Sequence, residues 1–292
     1  MRYSQKGLSL IELMVAMLIG LILIAGIGNI FIDSKRTYSF QQGLARIQEN
    51  GRMALEFLGR DIRMAGYTGC ASGEYSSVTN TLNNSGTLDY DFSRGVRGYE
   101  VGASIPSDLS ALNPAPLFNT DVLILKGPVG DGVKVVGNKS GDANIEVEKQ
   151  TVDCNSICCS GICQNDIVMA TDCSKARIFQ VTNLQPSGGN VKLVHSASGN
   201  PGNNISAWGG NRGDSREIFD ADAEVVKIQT VYYYVGNSQA SGQPALFMQV
   251  GVPGGTNPAR EMLEGVESMK LLYGLDTGTD LVPDRGQCKG VS

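Results

Sequence analysis

The sequence is poor in the side chains that enzymes most often use to move protons. It has one histidine, His195, in 292 residues. That residue lies in the strand-like stretch VKLVHSAS, where a place on a sheet surface accounts for it without chemistry. No G-x-S-x-G elbow, H-E-x-x-H helix or G-K-[ST] loop occurs, which removes the common hydrolase, zinc-protease and phosphate-loop signatures. GVPGGTNP at 251 reads as a turn. A basic stripe is missing too. Lys and Arg number 24 against 29 Asp and Glu, a net charge of −5, which argues against a general nucleic-acid binder. Catalysis, a cofactor and a direct nucleic-acid partner are therefore not expected.

Charge is scarcest near the start. From Leu8 to Ile32 the single charged side chain is Glu12. At 1.5 Å per residue such a run is long enough to cross a hydrocarbon core of about 30 Å. Arg2 and Lys6 precede it, and cations before a span favour a cytoplasmic N-terminus with the bulk of the chain outside. A cleavable secretory signal is the rival reading, with the small residues AGIG at 25–28 as its cleavage site. Against it stand Gly7, immediately before the run, and Glu12, which costs about 2.5–3.5 kcal/mol in a membrane unless partnered.

After Asp33 the composition turns mixed but the apolar spacing stays helical. Ile47, Ala54, Leu55, Leu58, Ile62 and Ala65 form one stripe, and Arg52 with Glu56 and Glu56 with Arg60 make i,i+4 pairs. The helix is expected to end near Gly66, roughly 85–90 Å from Leu8. Gly20, Gly26, Gly28 and Gly43 lower helix propensity, so local bending or melting is expected there, or close packing against other helices at Gly20 and Gly26.

Beyond Tyr67 the chain is rich in turn formers, with 37 glycines overall, and breaks into short strand-like runs. These are DVLILKG at 121, VKVV at 133, NIEVEKQ at 144, DIVMAT at 166, ARIFQVTN at 176, NVKLVHS at 190, VVKIQTVYYYVG at 225, PALFMQVG at 244 and SMKLLYGLD at 268. GPVGDG at 127–132 reads as a hairpin loop and residues 71–119 as loop with little regular structure. The fold class is α+β: a long N-terminal helix, transmembrane then amphipathic, whose second half packs on a mainly antiparallel sheet.

Seven cysteines stand at 70, 154, 158, 159, 163, 173 and 288. In a reducing space the cluster CNSICCSGIC would suggest metal, but zinc favours C-x2-C pairs and the spacing here is C-x3-C-C-x3-C. In an exported domain Cys70, Cys154, Cys158, Cys159, Cys163 and Cys173 are disulfide candidates. Neighbouring Cys158 and Cys159 should each reach a different partner, and an odd total leaves at least one cysteine unmated. Asp276, Asp280 and Asp284 in DTGTDLVPD are weak calcium candidates; solvated loop carboxylates are the plainer reading.

The stretch KG followed by LSLIELM resembles the type IV prepilin signal. The resemblance implies cleavage between Gly7 and Leu8 by a prepilin peptidase, N-methylation of Leu8, and a role for Glu12 in subunit assembly through the terminal amine of a neighbour. IQENGRMALEFLGRDIRMAGYTGC, DVLILKG, VMATDCSKARIFQVT, KIQTVYYYVG and LEGVESMKLLYGLDT are similar to the blocks of PilW minor pilins, most specifically around 48–70 and 263–277. That implies a leader at 1–7, a transmembrane and fibre-core helix at 8–32, its amphipathic continuation at 33–66 and a periplasmic β-rich domain at 67–292. It further implies a single pass through the inner membrane, then a place in the priming complex at the pilus tip, serving adhesion, twitching motility and DNA uptake. The implied partners are other minor pilins, the major pilin, the inner-membrane assembly platform and a large tip adhesin. Family members continue past the LLYG block into a further strand region, so the domain is expected to be short at its C-terminus. A J-type pseudopilin of type II secretion is the alternative within the class, and an exported, membrane-tethered enzyme the alternative outside it.

Overall fold

The computed structural model describes residues 7, 9–69, 77–137, 144–150, 154–204, 218–252, 255–274 and 288–290. The chain divides into two compact units, Met1–Met53 and Ala54–Ser292. One helix, α1 (Leu10–Met64), makes up nearly all of the described part of the first and gives its last turns to the second. It runs unbroken through Gly20, Gly26, Gly28 and Gly43, so no melting is seen at those glycines.

The second unit is built on strands β1 (Ser77–Asn80), β2 (Val96–Val101), β3 (Thr120–Gly137), β4 (Ile145–Glu148), β5 (Cys158–Cys159), β6 (Ile162–Cys163), β7 (Ile167–Thr171), β8 (Lys175–Gln180), β9 (Asn183–Ser187) and β10 (Asn190–Val194). They are followed by β11 (Glu224–Asn237), β12 (Pro244–Val252), β13 (Gly255–Thr256), β14 (Arg260–Glu264), β15 (Leu272–Gly274) and β16 (Cys288–Gly290). Twelve of these make one sheet, and β5–β6 and β15–β16 are separate ribbons. The centre of the sheet is the antiparallel pair β3–β11. Each of the two long strands shares its outer edge between two shorter ones. β11 takes β7 beside its first half and β12 beside its second; β3 takes β2 and then β4. All of these pairings are antiparallel; β1 joins β8 in parallel.

Alternation decides which side chain enters which core. In β3, Val122 and Ile124 point into one cluster with Tyr232, Tyr234 and Phe247, whereas Leu123 and Leu125 point into another with Val231 and Tyr233. Both faces are thus apolar, which is why DVLILKG reads as a continuous hydrophobic run. Leu58 and Ala65, from the end of α1 and just beyond it, pack on the second cluster, as the stripe predicts. Leu55 and Ile62 of the same stripe are exposed. The stripe is wider than its seat, and one face of about the last two turns meets the sheet. A third cluster holds the other half of the sheet, with Phe179, Val168, Val133 and Val225. Each fully buried side chain of this kind is worth about 1.5–3 kcal/mol.

Two expectations are corrected. GPVGDG is no hairpin loop: β3 runs through it, with Gly127, Pro128 and Val129 opposite Gln229, Ile228 and Lys227. The turn formers are absorbed as an irregularity between Val225 and Lys227, where the segment 129–131 is exposed. The long partner β11 pairs on both sides of this break, and that overrides a local turn preference. Residues 71–119 are not all loop either, since β1, β2 and a 3-10 turn at Ser107–Leu109 lie there. Among the described residues of SMKLLYGLD the strand is Leu272–Gly274.

Candidate assembly site

At the start of α1, Ser9 and Glu12 hold each other. The Ser9 N–H donates to Glu12 Oε2 at 3.1 Å and the Glu12 N–H donates to Ser9 Oγ at 3.2 Å. This is a capping box: a serine before the first turn and a glutamate three residues on satisfy two N–H groups that the helix leaves open. The S-x-x-E spacing of SLIE carries the signal in the sequence, and Ser9 is the residue that reading for a charge partner passes over. The carboxylate also lies in the first turn, where the helix dipole favours an anion. Gly7 is exposed with nothing within 4 Å of where a Cβ would stand. Leu8, the other half of the expected scissile bond, lies outside the described residues.

From Leu10 to Ile32 the large apolar side chains of α1 are exposed. Leu10, Ile11, Ile22, Ile24 and Phe31 are all exposed, and α1 has no buried residue. It is long and apolar enough to cross a membrane. Past the apolar stretch an Asp33–Arg36 pair at 4.0 Å lies in water, worth a few tenths of a kcal/mol.

The end of α1 is fixed within the second unit. The Tyr233 hydroxyl donates to Asp61 Oδ2 at 2.6 Å, and burial with that carboxylate beside it pushes the phenol up, so the link stays protonated. Gly66 then stops the helix at φ +75, and its N–H donates to the Lys126 carbonyl at 2.8 Å. A Cβ on Gly95 would overlap the Gly66 backbone, so this crossing needs glycine.

The cysteine cluster is covalently closed. Cys158 pairs with Cys163 and Cys159 with Cys154, each across a sequence separation of five. Ser160 and Gly161, at φ 53 and 78, make a two-residue turn that brings Cys158 opposite Cys163 in β5–β6. Adjacent thiols therefore face different partners. Cys173 is disulfide-bonded as well. Cys70 and the calcium candidates Asp276, Asp280 and Asp284 lie outside the described residues. Among the described residues no group of three or more His, Cys, Asp or Glu could hold a metal. His195 follows β10 and meets the Phe179 ring edge-on at 5.8 Å.

Comparison with known families finds two matches. The prokaryotic N-terminal methylation motif matches residues 2–28, and the type IV pilus assembly protein W family, PilW, matches residues 232–286. The matches are consistent with a PilW-family type IV pilin. No curated protein and no solved structure matches the chain. The methylation motif spans Gly7, the capping box and most of the exposed apolar helix, and suggests a membrane-anchored pilin. The PilW match runs from Tyr232 in β11 through β12, β14 and β15, covering the 263–277 block but not the one at 48–70. The two matches point to a structural protein.

Proposed function

We propose that the chain is a minor pilin that enters the inner membrane, is cleaved after Gly7, is methylated at Leu8 and joins the complex that primes type IV pilus assembly. The observation that carries this is the exposed apolar face of α1 from Leu10 to Ile32, with Glu12 its single charge. Such a face needs lipid before assembly and neighbouring helices after it. The remainder, 67–292, is then the periplasmic domain, and its disulfides suit an oxidising space.

In this reading Glu12 has two successive partners. Alone, it caps its own helix through Ser9. In the fibre, it meets the terminal amine of the subunit above, and opposite charges a few ångströms apart offset the cost of burying either. A subunit at the apex has no amine above it, so a position just below the tip suits a chain that carries Glu12.

Two substitutions test the reading. Gly7→Trp should leave the full-length precursor in the membrane; normal loss of seven residues by intact-mass analysis overturns the cleavage assignment. Glu12→Gln keeps an acceptor for the Ser9 N–H but removes the charge. It should spare insertion and cleavage and lower co-purification with other pilins and pilus number as far as Glu12→Ala does. Wild-type recruitment with Gln would leave the cap as the function of Glu12 and dispose of the charge pair.

A further inference from the structure

Cys173 is disulfide-bonded, and four of the other six cysteines are used up in the Cys154–Cys159 and Cys158–Cys163 pairs. Its mate is therefore Cys70 or Cys288. The backbone of the described neighbours decides between them. Thr171, the last residue of β7, donates from Oγ1 to the Thr68 carbonyl at 2.9 Å. A Cβ on Gly69 would stand 2.8 Å from Thr171 Cγ2 and 3.6 Å from Glu224 Oε1. The chain leaving α1 thus runs tight against the end of β7 and the start of β11. Cys70 follows Gly69 directly, and Cys173 stands two residues after Thr171. One Cα step is about 3.8 Å and a disulfide joins Cα atoms up to about 7 Å apart, so the two cysteines are within reach. Cys173 is also held in place by the turn between β7 and β8. There Asp172 Oδ1 accepts from the N–H groups of Ser174 and Lys175 at 2.7 and 2.9 Å, and Lys175 Nζ pairs with Asp172 Oδ2 at 2.9 Å.

Cys288 belongs to the other end of the sheet. Its backbone pairs with Gly274 in the β15–β16 ribbon. Three residues before Gly274, the Leu271 N–H donates to Asp121 Oδ2 at 2.7 Å, at the start of β3. Three residues of chain and one strand spacing keep Cys288 within about 20 Å of Asp121. Thr171 lies opposite Glu224, and Glu224 opposite Lys134, which is thirteen residues along β3 from Asp121. At about 3.3 Å per residue that is about 40 Å away, a gap that no disulfide spans. We infer that Cys70 and Cys173 form a third disulfide, a covalent staple between the exit of α1 and the β7–β8 turn, and that Cys288 is the cysteine left without an internal mate.

The bond rests on the export proposed above, because its formation needs an oxidant. The two thiols give up two protons and two electrons, which pass through a mixed disulfide to an oxidising thiol–disulfide protein that leaves as the dithiol. The staple also reaches where the other fastenings do not. Tyr233–Asp61 and Gly66–Lys126 hold the end of α1 to β3 and the second half of β11, whereas Cys173 lies beside β7, which flanks the first half. A pull along α1 then reaches both halves of the sheet.

The test uses the full chain purified from membranes in detergent micelles, alkylated in urea without reductant and then digested. Peptide mapping by mass spectrometry should recover a cross-linked pair joining the peptide that holds Cys70 to the one that holds Cys173, and none joining Cys173 to Cys288. In Cys70→Ser the Cys173 thiol should become open to alkylation, whereas Cys288→Ser should leave it closed. A Cys173–Cys288 link overturns the pairing, and so does an alkylated Cys70 in a chain whose β5–β6 cysteines are closed, or a Cys173 still closed in Cys70→Ser. Alkylation of all seven cysteines would overturn the export itself, and the disulfide with it, which separates that failure from a wrong pairing. Cys70→Ser with Cys173→Ser should lower the urea midpoint further than Cys158→Ser with Cys163→Ser does, because the loop it opens is about a hundred residues rather than about six. A midpoint unchanged from that of the parent chain would overturn the role of the bond as a staple.

Discussion

Ile24 and Ile124 are the same side chain in equally apolar surroundings, and the chain treats them in opposite ways. Ile24, in LIGLILIAGIG, is 70 % exposed on α1; Ile124, in DVLILKG, is 0 % exposed between strands. The difference lies in length and punctuation. The first run continues for some two dozen residues without a turn former that stops a helix, longer than any core of this unit could cover. The second is ended after a few residues and alternates between two faces that are both already apolar. Hydrophobicity alone does not tell a side chain where to go; the partner available within reach does.

The comparison can be broken most directly at its buried member. Ile124→Ala should cost about 2–5 kcal/mol of the sheet unit's stability, read as a shift in the urea midpoint of the full chain in micelles. A shift under about 1 kcal/mol would mean that the two runs differ less than their burial says. Next in size, the paired change Cys158→Ser with Cys163→Ser opens a ring of about six residues and should cost about 2 kcal/mol, with β5–β6 the first segment to gain protease sensitivity.

A smaller difference depends on pH. Burial pushes the Lys126 ammonium down to about 8, with Asp91 and Asp89 pulling upward and Arg97 adding to the fall. Its Nζ donates to the Asp91 carbonyl, so the lysine ties the 87–93 loop to β3. An unfolded lysine titrates near 10.4. Between pH 8 and about 10 the unfolded chain therefore binds more protons than the folded one, and stability rises with pH. Lys126→Met should lose that rise, measured as urea midpoints from pH 7 to 9.5. Above pH 10 the sign reverses, because burial pushes the hydroxyls of Tyr232, Tyr233 and Tyr234 up and they ionise first in the unfolded chain. The smallest effect belongs to the exposed member. Ile24→Ala should leave the sheet unit's midpoint within about 0.5 kcal/mol while weakening association with other pilins.

The long helix and most strand positions are legible because their signals are periodic and local. GPVGDG misleads because a Pro-Gly-rich hexapeptide carries the same local signal in a turn and in a broken strand; only β11, nearly a hundred residues away, decides between them. β9 escapes notice because NLQPS has neither alternation nor β-branched residues, and it is a strand by virtue of β10 beside it. At the assembly site Glu12 stands out by its charge. Ser9 is legible only once the glutamate is also read as half of a cap.

The position of β11 in the sheet has a consequence for synthesis. β3 and β7 are both made long before their shared neighbour, which begins at Glu224. A chain emerging N-terminus first holds β3 with one side open and the β7–β8 hairpin with no link to it until residues 224–237 appear. During that interval the strands already present show unpaired N–H and C=O groups to any other chain nearby. Joining of the two halves of the sheet is thus a late event, and a chain stalled before residue 237 leaves those edges open to aggregation.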